Sequence, residues 1–129
     1  MANRLRTKLF FDGGCRPNPG PIECAVVLKG VTYYRDDHGH GTNSDAERLA
    51  AIQALEVALQ NGERDIVLLG DSTLVVTQAN GTARCRTAAL EAHRTRFAAL
   101  ARKFESVRIR HMGRAQNLAG IALARLHPR

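Results

Sequence analysis

Asp12, Glu47 and Asp71 are three acids placed where regular elements are expected to begin or end. Asp12 closes the apolar run Leu9-Phe10-Phe11 and is followed by Gly13-Gly14-Cys15-Arg16-Pro17-Asn18-Pro19-Gly20, which continues no regular element. Asp71 follows Ile66-Val67-Leu68-Leu69-Gly70 and precedes Ser72, and Glu47 lies in Thr42-Asn43-Ser44-Asp45-Ala46-Glu47, at the start of a helical pattern. Each acid alone has a plain structural role: Asp71 suits an N-cap, Glu47 a first-turn acid and Asp12 a turn. Together they suggest one site for Mg²⁺, with Mn²⁺ as a substitute, because hard cations take oxygen ligands and keep several waters. A pair of such ions roughly 4 Å apart activates a water and stabilises the leaving oxygen in phosphodiester cleavage.

The elements that must position these acids follow from periodicity. Short apolar runs at Lys8–Asp12, Cys24–Leu28 and Val31–Arg35 read as an antiparallel meander. From Ser44 to Gln60 apolar residues recur at helical spacing, and Asn61-Gly62 stops the run. Asp65–Gly70 reads as a buried parallel strand. A short helix is expected over Ser72–Ala79, an amphipathic one over Thr87–Phe104 with Leu90, Phe97, Leu100 and Phe104 on one side, a strand over Val107–His111 and a last helix over Asn117–Leu126. Strands followed by strand-helix alternation predict an α/β fold with a mixed sheet, in one domain spanning residues 1–129. In such sheets ligands gather beyond the carboxyl ends of the strands, where Asp12 and Asp71 are expected.

Composition bounds the partners. With 44% hydrophobic and 24% charged residues the chain reads as globular, and no apolar run approaches the roughly 20 residues of a membrane span. The first residues lack the apolar core and cleavage site of a secretory signal, so the cytosol is the expected compartment. Cys15, Cys24 and Cys85 are odd in number and scattered, which predicts reduced thiols. A net charge of +7 and a pI near 10.2 point to a polyanion, since neutralising phosphates releases counterions. Neither Gly-x-Gly-x-x-Gly nor a Gly-Lys-Ser/Thr phosphate loop occurs, which argues against a nucleotide-binding α/β protein.

The segments Phe11-Asp12-Gly13-Gly14-Cys15-Arg16-Pro17-Asn18-Pro19-Gly20-Pro21, Thr42-Asn43-Ser44-Asp45-Ala46-Glu47 and Gly70-Asp71-Ser72, in this order and spacing, resemble type 1 ribonuclease H over nearly the whole chain. The resemblance implies a ribonuclease H-like fold, a five-stranded mixed sheet flanked by helices. It also implies Mg²⁺-dependent endonucleolytic cleavage of the RNA strand of RNA/DNA hybrids by a monomer. Asp12, Glu47 and Asp71 would be three of the family's four metal-binding residues. Cys15, Asn18, Asn43, Ser44 and Ser72 match residues along the hybrid's minor groove, and Thr42 matches one on a DNA-strand phosphate. Gly13 and Gly14 remove side-chain bulk and so let backbone approach a sugar-phosphate strand. The family's optional basic protrusion has no counterpart.

The fourth position departs from the pattern. The family carries an Asp in Asn-x-x-Ala-Asp-x-Leu-Ala, whereas this chain reads Asn117-Leu118-Ala119-Gly120-Ile121-Ala122-Leu123-Ala124. An ungapped register puts Ile121 at the Asp and His111 where many members carry a mobile-loop proton-transfer His. A register with a shorter loop puts Asn117 there instead, with its amide oxygen as a neutral ligand and Leu118, Ile121, Ala122 and Leu126 as the buried helix face. The second is preferred on physical grounds, because Asn suits a helix start and Ile121 facing metal would waste a core residue. It predicts that Asn117→Asp tightens metal binding. The alternative function is a catalytically weak or inactive module that binds hybrid or duplex RNA.

Overall fold

The computed structural model describes residues 6–72 and 88–126. The expected short helix lies outside the described residues from position 73 onward. The elements are β1 (Thr7–Cys15), β2 (Gly20–Leu28), β3 (Val31–Arg35), β4 (His40–Gly41), α1 (Asn43–Gln60), β5 (Asp65–Gly70), α2 (Ala88–Ala101), β6 (Ser106–His111), a 3-10 turn (Arg114–Gln116) and α3 (Leu118–Leu126). The sheet runs β3-β2-β1-β5-β6, with the two-residue β4 added to the start of β2. β2 is antiparallel to β1 and β3, while β5 is parallel to both β1 and β6. This is the expected mixed sheet. No helix among the described residues is long and apolar enough to cross a membrane.

Alternation along the strands divides the core in two. Leu9, Phe11, Ile66, Leu68 and Ile109 point to the side covered by α1 and α2, where Phe97 and Phe104 complete the main cluster. Ala25 and Val27 point to the other side, where Ala119 and Leu123 of α3 cover them beside Phe10. α1 is packed between the sheet and α2, which is why its apolar face is unusually wide. Ala46, Ala50, Ala54 and Ala58, each four residues apart and 0% exposed, let that helix approach closely. Emptying the space filled by the fully buried Leu55 would cost about 2–5 kcal/mol.

The start of α1 is set by a reciprocal cap. Thr42 Oγ1 accepts the Asp45 N–H at 3.2 Å, and Asp45 Oδ2 accepts the Thr42 N–H at 3.0 Å. His93 Nε2 on α2 adds a contact to Asp45 Oδ1 at 3.2 Å. Burial pushes the Asp45 carboxyl up, but the Thr42 N–H and hydroxyl together with His93 outweigh it and hold the group below its usual value. A depressed carboxyl stabilises the fold above its unfolded pKa, and that contribution disappears as pH falls through the lower folded value. Asp45→Ala is therefore expected to cost about 1–2 kcal/mol in urea unfolding at pH 7 and nearly nothing at the acid limit. An equal loss at both pH values would contradict this account of the cap.

Two local expectations are corrected. β1 does not stop at Asp12: Gly13, Gly14 and Cys15 continue antiparallel pairing with Cys24, Glu23 and Ile22. What ends near Asp12 is the parallel ladder to β5, last paired at Phe10↔Leu69. The Gly/Pro composition marked the turn after Cys15 but hid the strand running into it. Gly13 is also a packing residue. A Cβ there would lie 2.1 Å from the Ala46 carbonyl oxygen, whereas one on Gly14 would meet only Asn43 Oδ1 at 3.8 Å. Gly13→Ala is expected to lower stability by about 2 kcal/mol through overpacking. Gly14→Ala should leave the denaturant midpoint almost unchanged, and equal midpoints for the two variants would refute the close approach of β1 to α1.

The buried face of α3 is the second correction. Ala119 and Leu123 are buried, at 0% and 6% exposure, whereas Leu118, Ile121 and Leu126 are 45%, 36% and 51% exposed. The expected face is turned by about one residue, because Asn117 rather than Leu118 enters the interior at the helix start.

Candidate active site

Asp12, Glu47 and Asp71 line one open pocket together with Gly14, Cys15, Asn43, Ser72 and the α3 residues Gly120 and Ile121. β1 contributes Asp12, the second turn of α1 contributes Glu47, and Asp71 is the first residue after β5. The three enter from different elements whose relative placement is fixed by the buried cores beneath them. A Cβ added to Gly120 would stand 3.5 Å from Asp12 Oδ2 and 3.8 Å from Asp71 Oδ2, so α3 passes directly over this pair.

The electrostatics record the crowding. Asp12 is raised to about 7, first by burial and then by the charges of Asp71 and Glu47, against the opposing pull of Arg114 and the Gly13 N–H. Glu47 is also raised, chiefly by burial, while a hydrogen bond from Ser72 opposes the shift and Asp71 reinforces it. Among the described residues no three His, Cys, Asp or Glu side chains close into a ready-made metal cage. The donor set consists of carboxylate oxygens around an open, underneutralised pocket. It fits a hard cation that retains much of its water, and does not fit a dehydrated ion held on all sides.

Asn117 is fully buried and binds at both ends of its amide. Its Nδ2 donates to the Phe11 carbonyl at 3.0 Å and to Asp71 Oδ2 at 3.2 Å, while its Oδ1 accepts the Ala119 N–H at 3.1 Å. The expectation of an amide oxygen aimed at metal is therefore corrected. The oxygen caps α3, and the end that reaches the acids is the NH₂ donor. Ile121, not Asn117, lines the pocket, and this is the position the ungapped register assigns to the missing Asp.

The other expected residues divide. Asn43 Oδ1 accepts the Cys15 N–H at 2.9 Å, and Asn18 Oδ1 accepts the Asn43 N–H at 3.0 Å, so these three tie the β1–β2 loop to the start of α1. The Cys15 thiol donates to the Gly41 carbonyl. Thr42 serves as the α1 cap, Ser44 is half-buried and gives its carbonyl to Arg48 Nη1 at 3.1 Å, and Asn18, Thr42 and Ser44 stand outside the pocket lining. His111 is exposed at the end of β6, paired with Gly70, and also stands outside it.

Three charged lining residues, Arg16, Arg114 and Glu23, escaped the sequence reading as site residues. Arg114, in the 3-10 turn, opposes the upward shift of Asp12 and, together with Arg48, that of Glu47. Glu23 on β2 is 9% exposed and accepts the Tyr34 hydroxyl proton on Oε1 at 3.0 Å. Its signal was an acid inside the apolar stretch Ile22–Leu28.

The chain is similar to known proteins in sequence and fold. The reverse transcriptase-like family matches residues 23–127. Ribonuclease HI of Halobacterium salinarum is 39% identical over 124 residues, covering 92% of this chain and 62% of that protein. The bifunctional protein Rv2228c of Mycobacterium tuberculosis is 31% identical over 131 residues, covering 93% of this chain and 35% of that protein. This chain thus spans about three fifths of the first relative's length and about one third of the second's. The crystal structure of RNase H1 from Halobacterium salinarum superposes with a TM-score of 0.85 at 37% identity, covering 92% of this chain and 94% of that one. The N-terminal RNase H domain of Rv2228c superposes at 0.79 with 28% identity, covering 92% and 95%. The chain belongs to the reverse transcriptase-like family, and its fold is that of type 1 ribonuclease H.

Proposed function

We propose that this protein is a ribonuclease H that hydrolyses the RNA strand of RNA/DNA hybrids with Mg²⁺ or Mn²⁺. The observation that carries the reading is the convergence of Asp12, Glu47 and Asp71 on one pocket, with the Asp12 carboxyl pushed up to about 7 by burial and its acidic neighbours. The relative named ribonuclease HI supports it, as does LC11-RNase H1, whose structure superposes at 28% identity with a TM-score of 0.79. Bound divalent cations supply positive charge at the phosphodiester and an activated water.

The residues of this chain then have distinct tasks. Asp12, Glu47 and Asp71 hold the cations, and Ser72 orients Glu47 by its hydrogen bond. Asn117 fixes Asp71 relative to the Phe11 carbonyl one residue before Asp12, acting as a positioning residue. Gly14 leaves the pocket floor open to a sugar-phosphate strand, and Cys15 and Asn43 brace that floor. Arg114 balances part of the acidic charge. We assign no catalytic task to His111.

The apolar Ile121 on the pocket wall favours a second reading, a weak or inactive module that binds the hybrid without efficient cleavage. A panel separates the two: hybrid labelled on either strand, duplex RNA and single-stranded RNA, each incubated with Mg²⁺ and with Mn²⁺. The enzyme reading expects scission of the RNA strand in the hybrid alone. Hybrid binding without scission under both metals would replace it with the second reading.

A further inference from the structure

Among the described residues β6 is an edge strand, and its two faces differ sharply. Val107 and Ile109 turn into the main core, while Ser106, Arg108 and Arg110 alternate toward the opposite side of the sheet. Strand register aligns Lys8, Val67 and Arg108 in one row and Phe10, Leu69 and Arg110 in the next. Asp12 stands one row further along β1 on the same face. Rows lie about 7 Å apart, so the basic rows begin immediately below the carboxylate pocket.

Among the described residues, the cations that β1 and β6 present on this face have no acidic partner. α3 packs over β1 and β2, leaving β5 and β6 beyond it among the described residues. Lys8, Arg108 and Arg110 are exposed. None of the three makes an ion pair or side-chain hydrogen bond to another described residue. The acid that β5 places on this face, Asp65, is already matched by Arg6 Nε at 3.0 Å, an ion pair that misses hydrogen-bond alignment. A shallow hollow runs along β6 from Ser106 to Arg110.

We propose that Lys8, Arg108 and Arg110 form a track for single-stranded nucleic acid, leading from the carboxylate pocket along the open face of β5 and β6. Three cations with no partner among the described residues complement a phosphodiester backbone. The span from β1 to β6 is two strand spacings, about 10 Å, which suits one strand passing over the half-buried Leu69 between the basic side chains and is too narrow for a duplex. The proposal rests on the hybrid-cleavage reading in taking that strand to be an unpaired extension of the hybrid.

The test uses the Asp12→Asn protein, which keeps RNA intact, and compares anisotropy binding of a blunt hybrid with the same hybrid carrying an oligo-dT extension, across a salt series. The extension is expected to tighten binding about tenfold at low salt and to steepen the log-log salt slope by about 2, at roughly 0.7 per cation for single strands. Adding Lys8→Ala, Arg108→Ala and Arg110→Ala should abolish that gain without changing affinity for the blunt hybrid. Arg108→Lys with Arg110→Lys should retain most of it, which separates charge from folding. The proposal is overturned if the extension adds nothing, if the triple-alanine variant keeps the gain, or if these residues govern only binding to vesicles of anionic phospholipid. Oligo-dT bound through these three residues by a protein that neither binds nor cuts blunt hybrid would support the track while refuting the hybrid-cleavage reading.

Discussion

Asp12→Asn is expected to reduce cleavage of the hybrid's RNA strand by at least about a thousandfold while making the metal-free protein more heat-stable. The loss follows because Asp12 is the most crowded of the three carboxylates and an amide removes the charge that holds a cation. The stability gain follows from linkage. The folded-state pKa of Asp12 is raised from 3.8 to about 7, so folding binds protons in that interval and stability falls as pH rises through it. At pH 8 the charged carboxylate sits half-buried beside two others, and Asn relieves that repulsion. A full conversion of the shift gives about 4 kcal/mol, and coupling among the acids makes about 2 kcal/mol, or roughly 5 °C in Tm, the working expectation. The gain should shrink toward zero below pH 4, where the acid is protonated in both states. Thermal unfolding in chelator at pH 8 and at pH 4 reads this directly, and an Asp12→Asn protein no more stable at pH 8 would contradict the crowding.

The second large effect separates two positions that the sequence left in competition. Asn117→Asp removes the NH₂ that donates to Phe11 and Asp71, and it sets a carboxylate against a carbonyl and another carboxylate at a site with 0% exposure. Unpaired buried charge of this kind costs on the order of 3–5 kcal/mol, so the variant should unfold at markedly lower denaturant and lose activity. Metal affinity should not rise, the reverse of what the preferred register predicted. Ile121→Asp instead replaces an exposed apolar side chain on the pocket wall, with little to lose in packing. It should tighten Mn²⁺ binding about tenfold in calorimetry, since one more charged oxygen faces the ions. If Asn117→Asp folds normally and binds metal more tightly while Ile121→Asp does not, the placement of α3 given above is wrong.

Much of this was legible in the residues. Strong periodicity marked α1, and the apolar run before Asp71 marked β5, because burial on wide faces leaves an unmistakable pattern. The three acids were identified from their placement near element boundaries, and the structure gathers them in one pocket. The start of α3 was misread, because a nine-residue helix offers few turns and Leu118, Ile121 and Leu126 satisfy a helical stripe as well as Ala119 and Leu123 do. What decided the face was the amide of Asn117 reaching Phe11, 106 positions away in sequence, a contact no local pattern encodes. The packing role of Gly13 was hidden for a similar reason: its missing side chain makes room for the backbone of α1. Arg114 and Glu23 went unnoticed because an isolated charge carries no period, and only the folded chain places either at the pocket.

The most direct test of the shared site is the single-turnover rate of RNA-strand scission in a labelled hybrid, measured side by side for wild type, Asp12→Asn, Glu47→Gln and Asp71→Asn in saturating Mg²⁺. The account predicts metal-dependent scission by wild type and a loss of at least about a thousandfold in each variant, because the three carboxylates act on one set of ions. Scission within tenfold of wild type in any one of the three variants would contradict it.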